Sequence, residues 1–290
     1  MIANRYLAKI NALITEDFGK RGLCHTNDTS DFNEAVYSLW QSTSVLIVTG
    51  FCIRDVMRGE TDGPLGAVVL GSALQRLGKE VVLATDRFSS QLLDVCCQVY
   101  DFSPAVELVP FAGALQSCND ILCKYQPSHV IGLERPSRAR DGRCYSMRGE
   151  DLSDIIPDTD GFFSRQGANP PVTVGIGDGG NELGMGKYAL ELARSLPNGD
   201  TIWAATVADY AIPVAVSNWG AYGLSAALSM LSSQFLLHEP HVEERFLTEM
   251  IKAGAVDGCT KQAGLSVDGI ALHIHKNLVK QLGALVNDGS

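Results

Sequence analysis

The amino-acid sequence predicts an α/β fold: a doubly wound, mostly parallel sheet with helices on both faces. Three observations carry that expectation. Short continuous aliphatic runs recur at 45–49, 81–84, 106–109, 130–133 and 172–176, as strands buried on both faces require. Stretches with helical apolar spacing separate them. The links are short, and strand–helix alternation with short links implies parallel strands joined by right-handed crossovers.

Residues 1–41 read as an N-terminal helical segment, with Phe32, Val36, Leu39 and Trp40 as an amphipathic stripe, packed on one α/β domain spanning 1–290. The first strand, 45–49, ends in Gly50. Pro64 opens a helix, because its missing N–H is harmless in a first turn. Leu65, Val68, Val69, Ala73, Leu74 and Leu77 form the apolar face, and Gly78 is the stop. The strand at 81–84 leads to a helix through Leu92, Leu93 and Val95, and the strand at 106–109 to a helix over 114–125. After the strand at 130–133 comes a polar stretch, 134–170. The pattern then predicts a strand at 172–176, a helix at 181–195, strands at 201–207 and 213–216, and helices at 219–235 and 240–253. The tail repeats Val256-Asp257-Gly258 as Val267-Asp268-Gly269 before a last helix.

A chain of 290 residues is long enough to bury a full core. Its net charge of −10 argues against nucleic acid or an anionic membrane as partner. No apolar stretch has the length to span a bilayer. The opening segment, 1–20, holds Glu16 and Asp17 and no apolar core, so neither a secretory signal nor a transit peptide is expected. Eight cysteines without C-x-x-C or zinc spacing imply a reducing compartment, the cytoplasm being simplest. Cys96, Cys97 and Cys118 fall on helical stripes as small hydrophobes. His238, His241, His273 and His275 show no metal spacing and read as surface or helix-end residues.

The densest motif is Gly175 to Gly186, G-I-G-D-G-G-N-E-L-G-M-G, six glycines in twelve positions with Asp178 and Glu182 among them. Glycine loses the most backbone entropy on ordering, so such a run needs a reason: positive φ or close approach of a ligand. It follows a strand and precedes a helical stripe through Tyr188, Leu190, Leu192 and Ala193, the usual ligand position in an open α/β sheet. Gly175, Gly177 and Gly180 also match the dinucleotide fingerprint G-x-G-x-x-G. Two acids in the turn oppose a pyrophosphate, so no nucleotide is expected. They suit an ammonium group, a metal ion or proton transfer. Helix capping would explain one acid and stretch to two, but not six glycines.

Other polar clusters fall at strand ends: Thr49-Gly50-Phe51, Glu60 to Pro64, Thr85-Asp86, Glu134-Arg135 and Ser217 to Gly220. Each alone is explained by capping. Their convergence on one sheet edge is harder to obtain by accident. The segment 134–149 holds Arg135, Arg138, Arg140, Arg143 and Arg148 in an otherwise acidic chain. Pairing with nearby acids is the plain explanation; carboxylate binding by the guanidinium fork is the functional one. A basic loop facing an acidic glycine turn suits a zwitterion.

These phrases, with E-T-D-G-P-L-G-A at 60–67, the arginine loop at 134–149, S-N-W-G-A-Y-G at 217–223 and the glycine run through Lys187, resemble the D-glutamate cyclase family over residues 30–285. The resemblance is to a stand-alone, bacterial-type relative of the C-terminal domain of the vertebrate mitochondrial enzyme. It implies a lyase interconverting D-glutamate and 5-oxo-D-proline, hence a small acidic amino acid or its lactam as partner, and the mitochondrial matrix in a eukaryote. Asp178 or Glu182 would be the base or ammonium anchor. Backbone N–H groups of Gly179, Gly180 and Asn181 would serve an oxyanion, with Asn181 counted as catalytic. Arg135, Arg143 and Arg148 would take carboxylates. Thr61, Asp62, Glu134 and Asn218 would contact or orient substrate. A divalent metal, Mg or Mn, on Asp178, Glu182, Glu60 or Asp62 is a variant of this scheme. The alternatives are a nucleotide-binding enzyme and a non-catalytic small-acid-binding domain. A homo-oligomer is compatible with the sequence.

Overall fold

The computed structural model describes residues 4–19, 22–23, 29–165, 169–188, 193–194 and 196–289. Cys24 and the predicted helical positions Leu190 and Leu192 lie outside them. At the centre is a six-stranded, all-parallel sheet in the order β5-β4-β1-β6-β7-β8. Its strands are β1 Ser44–Thr49, β4 Glu80–Thr85, β5 Ala105–Leu108, β6 His129–Leu133, β7 Val172–Gly177 and β8 Tyr210–Pro213. Strand β1 pairs with β4 on one side (Val45 opposite Val81) and with β6 on the other (Val45 opposite His129). The chain therefore winds outward one way from β1 and then the other way from β6, which leaves a crevice at their shared carboxyl end.

Helices cover both faces. Alternate strand residues point to opposite sides. Val45, Ile47, Val81, Leu83, Ile131, Leu133, Val174 and Ile176 join one large core with α3 (Pro64–Arg76) and the helix Ser217–Ser232. Leu46, Val48, Val82, Ala84 and Val130 join a smaller one with α5 (Ala114–Tyr125), Phe162 and Phe163. Edge strand β5 is mostly exposed. The N-terminal helix Asn4–Ile14 buries Leu7, Ile10 and Ile14 against the Ser217–Ser232 and Leu272–Gly289 helices. A short hairpin, β2 Cys52–Ile53 with β3 Arg58–Gly59, rises from the end of β1. Among the described residues no helix is long and apolar enough to cross a membrane.

Three expectations fail beyond β7. The glycine turn does not open a helix: residues 181–188 are turns pinned by bridges Pro136–Glu182 and Met185–Val207. The chain folds back against its own strand, where a Cβ on Gly175 would lie 2.4 Å from the Leu183 carbonyl oxygen. Residues 201–207 are not a strand but the end of a short helix, Gly199–Ile202, and bridging loop. The last strand of the central sheet is Tyr210–Pro213, three residues before the expected one, since residues 214–216 only lead into the next helix.

Candidate active site

The carboxyl ends of β1 and β6 meet a cavity of about 280 Å³. Phe51 to Arg54, Glu60 and Glu134 line it with Asp178 and Asn181. Ser146 to Arg148, Glu150, Gly258, Cys259 and Asp268 close the other side. Five acids and two arginines make it strongly anionic.

Within the glycine turn the two acids do different work. Glu182 turns back and accepts backbone N–H bonds from Gly179 (2.7 Å), Gly180 (2.8 Å) and Asp178 (3.2 Å). Its carboxylate thus occupies the ring of amides that a phosphate would use. Gly177 is needed for this, because a Cβ there would sit 2.5 Å from Glu182 Oε2. The expectation that Gly179 and Gly180 present free N–H groups to an oxyanion is corrected: those donors serve Glu182. Gly180, at φ +86°, also carries the Trp203 ring against its Cα. Asp178, in contrast, is buried and faces the cavity.

Asp62 and Asn218 tie two helix N-termini together. Asp62 accepts from the backbone N–H of Gly63, Ser217 and Asn218 at 2.8–3.0 Å. Asn218 Oδ1 accepts from Gly63 (3.0 Å) and Gly66 (2.7 Å), and its Nδ2 donates to the Thr61 carbonyl. Thr61 donates to the Ser266 carbonyl. Asn218 and Thr61 are therefore framework, and neither lines the cavity.

Glu134 stands at the end of β6 with φ +46°, a left-handed turn that aims it inward. It accepts a 2.5 Å bond from Ser217 Oγ. Burial, followed by the charges of Glu182, Asp62, Glu60 and Asp268, raises its pKa well above the ordinary range. Carboxylate oxygens of Asp62, Glu134 and Asp178 lie within 4.8 Å of one another, all three buried. These are the hard oxygen donors that Mg or Mn takes; an octahedral ion with oxygens at about 2.1 Å would draw them in to about 3 Å from one another. Asp62 and Asp178 were expected among the metal ligands and Glu134 was not. Glu60 lines the same cavity, whereas Glu182 is held in the amide ring.

The arginine loop does not form a roof. Arg135 is fully buried and bonds Asp86 (2.6 Å), the Gly50 and Pro157 carbonyls and Thr159 Oγ1. Every guanidinium nitrogen is used within the framework, so its expected role at a substrate carboxylate is corrected. Arg143 is exposed and pairs with Asp151 at 3.2 Å; Arg138 pairs with Asp158. Neither lines the cavity. Arg148 does, with Nη2 donating to the Cys259 carbonyl.

Sequence reasoning missed Arg54, Glu150 and Asp268 as cavity residues. The repeated V-D-G phrase was the available signal for Asp268, and Arg54 carried none. Asp257 of the same repeat organises that loop, accepting from Cys259, Thr260 and Gly269 N–H and from Ser266 Oγ. His238 and His275 are not at the surface: His238 pairs with Glu243 (2.6 Å) and His275 accepts from Trp219 Nε1 (2.9 Å), all buried. Cys52 reaches the cavity wall, but burial, reinforced by Asp86 and Glu60, pushes its thiol up to about 12, against a nucleophilic role.

Two comparisons bear on this arrangement. A family model described as D-glutamate cyclase-like, C-terminal, matches residues 10–283. The human protein named D-glutamate cyclase, mitochondrial, is 30% identical over 318 aligned residues. That alignment covers 97% of this chain and 52% of the human protein, so the chain spans about half the length of its relative.

Proposed function

From the chain's membership of the D-glutamate cyclase-like family, we propose that it interconverts D-glutamate and 5-oxo-D-proline at the cavity between β1 and β6. One observation carries this reading: three buried carboxylates, Asp62, Glu134 and Asp178, converge at the topological switch point of the sheet. Buried carboxylates this close do not all stay ionised unless a cation or protons lie among them. Both options serve the chemistry.

In cyclisation the α-amine nitrogen attacks the γ-carboxyl carbon, the C–N bond forms, a C–O bond breaks and water leaves. The amine loses a proton and the departing oxygen gains one. Asp178, at the cavity wall, takes the proton from nitrogen. Glu134, raised by burial, holds the proton that the leaving oxygen needs. In the other option a divalent cation held by Asp62, Glu134 and Asp178 would stand in place of those protons, polarise the γ-carboxyl group and neutralise charge, and Asp178 and Glu134 would then be ligands rather than base and acid. Glu182 keeps the floor in shape and excludes a phosphate from the amide ring, which weighs against the nucleotide alternative.

The test is incubation of the purified protein with D-glutamate, L-glutamate and 5-oxo-D-proline, with and without Mg or Mn, followed by NMR. Interconversion of the D pair is expected. Inertness toward all three under every metal condition overturns the proposal.

A further inference from the structure

We propose that Arg54 and Asn181 set the orientation of the substrate: Arg54 takes the α-carboxylate that does not react, and Asn181 Oδ1 holds the hydrogen on the α-nitrogen. This rests on the cyclase reading and deepens it.

Both side chains line the cavity. Asn181 is buried, and its Nδ2 donates to the Tyr145 carbonyl at 2.7 Å. That bond fixes the amide, since the flipped form would set two oxygens against each other. Oδ1 is left as an acceptor with no donor from the protein. Arg54 reaches Asp154 through Nη2, while its Nε–H is buried and has no acceptor. Two residues of one cavity lining thus each carry a buried polar atom without a partner, one a donor and one an acceptor, and a buried polar group left so is costly. A ligand with an anionic acceptor and an N–H donor satisfies both.

The surrounding charge assigns the ends. Glu60, Glu150, Asp178 and Asp268 repel a carboxylate, and Arg54 and Arg148 are the cations in the lining. Arg148 already gives Nη2 to Cys259. Arg54 likewise gives Nη2 to Asp154, but it is the one of the two whose Nε–H is buried without an acceptor, and this assigns the α-carboxylate to Arg54. Asn181 is neutral, so it accepts equally from ammonium, amine and lactam N–H and keeps the nitrogen in place along the whole reaction. A charged acceptor would favour the ammonium form alone.

The experiment compares D-glutamate with its α-carboxamide analogue, which keeps the γ-carboxyl group and can still cyclise. It also measures binding of 5-oxo-D-proline and its carboxamide by calorimetry. The wild type prefers the α-carboxylate in both. Arg54→Met is expected to raise KM for D-glutamate at least tenfold and to abolish the preference over the amide, with Arg54→Lys restoring part of it. Asp154→Asn, which removes only the outer ion pair, should leave the preference intact. Asn181→Ala should weaken lactam binding at least tenfold for acid and amide alike. An Arg54→Met enzyme that turns over D-glutamate with its preference unchanged overturns this inference alone. A wild type that neither turns over D-glutamate nor binds the lactam overturns it together with the cyclase reading.

Discussion

The glycine turn at 177–186 and the arginine loop at 134–149 are the two motif-dense regions of the molecule, and folding treats them in opposite ways. The turn gathers its charges: Asp178 and Glu182 both end buried, one facing the cavity and one holding three amides. The loop scatters them. Arg135 goes into the framework, Arg138 and Arg143 to surface acids, and Arg148 to the cavity. The difference lies in reach and solvation. Short acids on a glycine backbone cannot leave the place where the chain puts them. Long guanidiniums on a loop settle on whatever carboxylate or carbonyl is near, and water tolerates the rest.

Breaking Arg135 should have the largest effect. Arg135→Met strands Asp86 in a dry site, and loss of one partner from a buried ion pair costs about 3–5 kcal/mol. Urea denaturation should show that loss. A change under about 1 kcal/mol would mean that Arg135 resembles its exposed neighbours after all.

The pH dependence of the cavity sharpens the contrast next. Burial and four neighbouring acids raise the Glu134 pKa from its ordinary 4.5. A carboxyl raised by folding contributes stability that is whole below about pH 4.5 and is lost as pH climbs toward the folded value. In chelator-treated protein, Glu134→Gln should match the wild type near pH 4 and be more stable at pH 8, by about 1 kcal/mol or more. Buried Glu243 and Asp257, both held below their ordinary values, give the opposite slope in both proteins and cancel in the difference. Urea midpoints across that range, read without added metal, decide it.

The smallest effect belongs to Arg143. It is exposed and its partner Asp151 is half-exposed, so Arg143→Ala should change stability by no more than about 0.5 kcal/mol. Its turnover of D-glutamate should equal that of the wild type in the NMR assay.

The central-sheet strands β1, β4, β5, β6 and β7 and the helices at 64–76 and 114–125 were legible because each is an aliphatic run or stripe with a clear stop, whereas the β2–β3 hairpin was not foreseen. The convergence of strand-end clusters pointed to the sheet edge at which the cavity lies. What misled was the glycine turn itself: residues 181–188, where the expected helix was to begin, are turns folded back against β7. The role of Arg135 was equally hidden, because a guanidinium destined for the core looks the same in a string of letters as one destined for a ligand.

The strands from β1 to β7 of the central sheet, their parallel sense and the clustering of polar residues at strand ends are written in the sequence alone, since hydrophobic period and glycine placement act locally. Only the tertiary structure decided which of two acids four residues apart faces the cavity, and which arginine keeps a donor for a ligand. Those outcomes depend on partners 20 to 100 positions away, such as Asp86 for Arg135 and Asp154 for Arg54. No local pattern encodes the desolvation that selects them.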